Sequence, residues 1–124
     1  MEPVLMLKTA CSLLAIVALG GFTMAGMRIA DKPRPPAWLA ALHGLLAAAA
    51  LTLLLYAYFT VGLPPLARSA LLFLLVATAV GAVLNLNFHW KKLPLPLGLI
   101  MIHAAIAIVG IILLVTATWG RRAQ

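Results

Sequence analysis

Between Lys8 and Arg28 the chain runs for 19 residues without a charge, and three further stretches of the same kind follow. The second lies between Asp31-Lys32-Pro33-Arg34-Pro35-Pro36 and about Thr60, where Gly62-Leu63-Pro64-Pro65 interrupts it. The third runs from near Leu66 to His89-Trp90-Lys91-Lys92, and the fourth from near Pro96 to Trp119-Gly120-Arg121-Arg122. A helix needs about 20 apolar residues to cross the hydrocarbon core of a bilayer. Each stretch has that length. The pattern therefore predicts four transmembrane helices, at about 5–28, 36–60, 66–89 and 96–119.

Composition agrees. Of 124 residues, 65% are apolar and 9% charged, where soluble domains hold roughly 45–50% and about 25%. Too few polar residues are present to coat a water-soluble core. A disordered tail, a disulfide scaffold and an ordinary soluble enzyme are excluded. Cys11 is the single cysteine, so neither an intrachain disulfide nor a cysteine metal cage is available.

Prolines fall at the predicted helix starts (Pro36, Pro65, Pro96), where the missing donor costs little. Trp38, Trp90, Trp119, Tyr56 and Tyr58 stand near span ends, as in an interfacial belt. The short links predict an up-down-up-down bundle, a single domain over 1–124. The first stretch, rich in small residues, reads as a mature helix rather than a signal peptide. Arg28, Lys32, Arg34, Lys91 and Lys92 fall on one side against Lys8, Arg68, Arg121 and Arg122 on the other. By the positive-inside rule this places both termini outside the cytoplasm. The cations flank apolar blocks instead of forming a stripe interleaved with aromatics, so they face lipid head groups and not nucleic acid.

A second pattern repeats at an offset of 60 residues. Lys32 matches Lys92, Pro36 matches Pro96 and His43 matches His103; Ala47 matches Ala107, Leu14 matches Leu74 and Gly21 matches Gly81. Apolar matches are cheap here, but Lys, Pro and His are scarce, and their shared register predicts two duplicated helix hairpins, 1–62 and 63–124. The hairpins would be parallel, related by a pseudo-two-fold axis along the membrane normal. Each histidine lies seven residues past its proline, roughly 10 Å along its helix. Both imidazoles are then level and able to face each other.

Intramembrane histidine usually turns to a partner or cavity. Three chemistries compete. Neutral imidazoles can bond helix carbonyls or each other and hold the bundle together. A non-haem metal would need further ligands, and no acid lies in any span. One haem b with His43 and His103 as axial ligands needs nothing more from the protein. Gly44, Ala47, Ala50, Ala107 and Gly110 would leave a slot for the macrocycle, and Lys32, Arg34, Lys91, Lys92 and His89 would meet its propionates. Asn85, near the same depth, is expected to bond the distal nitrogen of an axial imidazole, with Thr23 a weaker candidate.

With histidines on the second and fourth spans, in Leu42-His43-Gly44 and Ile102-His103-Ala104, the chain resembles small four-helix membrane b-type cytochromes, the group that includes cytochrome b561 and superoxide oxidase. Those proteins typically hold two haems, whereas this chain has intramembrane histidines at one depth, so one haem is expected. The resemblance implies quinone-linked or small-molecule electron transfer. The expected location is a bacterial inner membrane, with quinone or another redox protein as partner; His89 and Trp90 read first as interfacial anchors and second as the border of a quinone head-group site. The alternative is an accessory or assembly subunit without a cofactor, docked through Gly21-x-x-x-Ala25 or Gly44-x-x-x-Ala48 into a homo- or hetero-oligomer. Proton-coupled export lacks its carboxylate, and no soluble-enzyme motif is present.

Overall fold

A computed structural model describes residues 2–120; Arg121 and Arg122, counted above as flanking charges, lie outside the described residues. The protein is all-helical. Helix α1 spans Pro3–Ile29, α2 Ala37–Thr60, α3 Pro65–Val83 and α4 Leu97–Trp119. A π-helical segment, Leu84–His89, prolongs α3. With that extension, all four helices are long and apolar enough to cross a membrane.

Local chemistry sets the ends close to where the prolines predicted them. Pro65 is the first residue of α3, whereas Pro36 and Pro96 cap α2 and α4 from one residue outside. The chain leaves α1 through Asp31 in the left-handed region (φ 61°), and Pro33, Pro35 and Pro36 then bar further helix. Gly62 (φ 75°) makes the corresponding exit after α2.

Helix α1 lies along α2 and α3 along α4; α1 also meets α4, and α2 meets α3. The two histidine-bearing helices are thus diagonal. The main core gathers Met6–Leu14 of α1, Ala50–Ala57 of α2, Ala67–Leu74 of α3, and Leu114 and Ala117 of α4. Leu54 and Leu114 are fully enclosed there, among alanines that let the helices approach closely. A smaller cluster of Leu84, Leu95 and Ile100 forms at the other end. Between the two clusters the helices part around a cavity. The outer surface carries exposed Leu19, Phe22, Leu45, Phe59, Leu72 and Ile112, an apolar coat that water does not favour.

The π-helical segment breaks the repeat by one residue. The offset is 60 at His43/His103 and becomes 61 at Asp31 (φ 61°) and Lys92 (φ 59°), the matching left-handed exits. The Lys32 N–H donates to the Met27 carbonyl, and the Leu93 N–H donates to the Phe88 carbonyl in the same way, again 61 apart. At Pro36 and Pro96 the offset is 60 once more. One residue has entered the third helix, where a wider turn absorbs it, and one has left the following loop.

Candidate functional site

The sequence pattern brings His43 and His103 together from diagonal helices, with ring centroids 6.2 Å apart and planes at 67°. The Nδ1 of His43 lies 2.9 Å from the Val17 carbonyl oxygen, and the Nδ1 of His103 lies 2.8 Å from that of Ala77. Each ring therefore reaches back 26 residues to equivalent carbonyls. A carbonyl only accepts, so Nδ1 carries the proton, and Nε2 of the neutral ring keeps a lone pair. Among the described residues neither Nε2 has a protein partner, and no buried side-chain nitrogen or oxygen lacks one. Both Nε2 atoms therefore open onto accessible space.

Two glycines seat the rings. A Cβ at Gly21 would stand 3.1 Å from Cε1 of His43, and one at Gly81 would stand 3.0 Å from Cε1 of His103. A methyl at either position would oblige the imidazole to give by a few tenths of an ångström. The repeat match of Gly21 with Gly81 was visible in the sequence, but nothing in it showed that a histidine ring fills the notch.

The rings border a cavity of about 370 Å³ whose walls come from all four helices and are predominantly apolar. That volume is within the range of cofactor and small-molecule sites, about 300–1,000 Å³. Of its polar liners, Thr78 spends its hydroxyl on the Leu74 carbonyl (2.8 Å). Asn85 also lines a second, wider recess of about 820 Å³, with Lys32, Arg34 and Lys92 around it. Pro35, Ala40, Asn85 and His89 belong to both walls, so cavity and basic recess adjoin.

Gly44, Ala47 and Ala107 line the cavity. Gly110 does not. It is buried against α3, where a Cβ would come within 2.9 Å of Leu74 Cγ, so its smallness serves helix contact. Ala50 is likewise enclosed in the core. Asn85 is at the cavity, but the Val17 and Ala77 carbonyls, not Asn85, orient the imidazoles. Thr23 bonds its own helix at Leu19. Arg34 and Lys92 line the basic recess, whereas Lys91 is exposed and lines neither space.

His89 is a different kind of histidine. Its Nε2 lies 3.0 Å from the Pro35 carbonyl oxygen and donates to it. Arg28, at the matching position once the inserted residue is counted, donates from Nε to the Leu95 carbonyl at 2.8 Å. The Leu95 N–H donates in turn to the Pro33 carbonyl at 3.2 Å. These bonds tie the two loops to each other over the cavity. Among the described residues no three His, Cys, Asp or Glu side chains cluster, so a metal cage built of protein donors alone is incomplete here.

The chain matches no protein-family model, no curated protein and no solved structure.

Proposed function

We propose that this chain is a multi-pass membrane protein, its four helices crossing a bacterial inner membrane up, down, up and down. Between His43 and His103 it holds one haem b and acts as an electron-transfer cytochrome. The apolar coat and four spanning lengths support the membrane reading. The short links and the resemblance to small b-type cytochromes support the topology and the cofactor.

One observation carries the cofactor reading: two level imidazoles, each with Nδ1 tied to a backbone carbonyl and Nε2 free. Metal-bound histidine commonly donates its other N–H in this way, which fixes tautomer and ring orientation. His43 and His103 would be the residues that hold the haem, through its iron. Their ring centroids stand 6.2 Å apart. The absence of a Cβ at Gly21 and Gly81 leaves room for the rings beside the first and third helices.

When bound, the haem supplies one-electron redox chemistry. The protein's share is to present the nitrogen pair, keep water from the apolar cavity, and offer Lys32, Arg34 and Lys92 to the acidic edge of the macrocycle. Quinone or a redox protein is the partner class, approaching from the face that carries His89 and Trp90.

The test is an absorption spectrum of detergent-purified protein, oxidised and then reduced with dithionite. A sharp Soret band and resolved visible bands on reduction are expected. A colourless protein after expression with ample haem would overturn the reading.

A second reading, an accessory subunit whose histidines only join helices, draws on the edge-to-face angle of 67°, a stable packing of two rings without a cofactor. The same spectrum separates the two.

A further inference from the structure

The two sides of the cavity are not equal, although the repeat makes them equivalent. One seam lies between α1 and α4 and its mate between α3 and α2. On α1, Phe22 follows Cys11 by 11 residues, about three turns, and so shares its face. Cys11 Sγ meets Thr118 Oγ1 of α4 at 3.5 Å, which places that face on the α1–α4 seam. Phe22 lines the cavity yet is 57% exposed, and Ile108 of α4 lines it while 40% exposed. Residues that are both lining and exposed form a rim, and here the rim is bulky.

At the mate seam the equivalent of Phe22 is Ala82, and the equivalent of Ile108 is Ala48. Ala82 and Gly44 line the cavity and are exposed. A Cβ built on Gly44 would meet nothing within 4 Å. Small side chains therefore leave this rim open. The basic recess sits at the end of the same seam, walled by the start of α2, by Asn85 and by the loop cations. Of the two acids in the chain, Glu2 stands at the far end of α1, roughly 40 Å away by helix rise. Only Asp31 is placed to offset any of Lys32, Arg34 and Lys92.

We propose that the α2–α3 seam is a side entrance for a flat amphiphile with carboxylates along one edge. The molecule would pass from the lipid phase into the histidine cavity, its acidic edge turned to Lys32, Arg34 and Lys92. This rests on the haem reading above and adds the route of loading. Phe22 and Ile108 close the opposite seam, so the duplicated scaffold has one door.

The test follows haemin uptake by the apoprotein in nanodiscs, read as growth of the Soret band after rapid mixing. Ala82→Phe places at the open seam the ring that Phe22 places at the closed one. Gly44→Leu is the second probe, since its side chain starts in free space. Both are expected to slow haemin uptake and release alike, by about tenfold, whereas Phe22→Ala, which strips the closed rim, is not expected to slow either. Wild-type rates in both blocking variants would overturn the entrance, as would acceleration by Phe22→Ala with no effect of Ala82→Phe. Haemin uptake by the wild type separates this failure from that of the haem reading, since a wild type that never binds overturns both.

Discussion

The ring centroids of His43 and His103 stand 6.2 Å apart between diagonal helices, each ring held by a backbone carbonyl 26 residues before it. Symmetry of this kind gives both rings the same tautomer and the same free nitrogen. His89 spends Nε2 on Pro35 instead. Replacing His43 or His103 by Ala should each abolish a low-spin haem spectrum, and His89→Ala should retain it. Loss of the spectrum in His89→Ala alone would assign the ligand elsewhere.

The glycine notches make a sharper prediction. Gly21→Ala and Gly81→Ala set a methyl 3.1 and 3.0 Å from an imidazole carbon. Overpacking of this sort costs about 1–3 kcal/mol, here taken from ring placement. Haemin affinity should fall on the order of tenfold or more in each. Gly26→Ala, whose Cβ meets nothing within 4 Å, should leave it unchanged. Equilibrium titration of the three variants decides.

Gly110 belongs to stability and not to the cofactor. Gly110→Ala brings a methyl to 2.9 Å from Leu74 Cγ, and about 1–3 kcal/mol of destabilisation is expected. Leu74→Ala should relieve part of that cost, so the double variant should be less destabilised than the two changes summed. Reversible unfolding in detergent measures the coupling, and the absorption maximum of Gly110→Ala should not move.

Arg28 and His89 hold the loops through carbonyls of Leu95 and Pro35. Removing either by alanine substitution should loosen the Leu95 N–H, which donates to Pro33 across the loop pair. Hydrogen exchange at that amide should quicken in both variants while amides at Ala50 and Leu54, deep in the core, keep their protection. Unchanged exchange at Leu95 would mean the loops are held by other means.

The cations of the recess are not equivalent. Lys32, Arg34 and Lys92 line it and Lys91 does not. Replacing the first three together by Gln should weaken haemin binding and flatten its salt dependence, whereas Lys91→Gln should do neither. Titrations at low and high salt make the comparison.

Four runs of apolar residues and the prolines between them were enough to read the helices, because length and a missing amide donor act locally, within a single helix. The level placement of His43 and His103 was legible for the same reason: equal spacing from Pro36 and Pro96 becomes equal rise. Rotation of one helix against the next is another matter, since it follows from packing between elements far apart in the chain. That rotation turned Gly110 onto Leu74 instead of the cavity, and it aimed the rings at the Val17 and Ala77 carbonyls instead of Asn85. Every residue carries a carbonyl, so such an acceptor leaves no trace in residue type. The added residue near His89 was equally silent, because apolar helix tolerates one more position. Its effect, a histidine standing where the first repeat has Arg28, emerges only when both loops close over the same cavity.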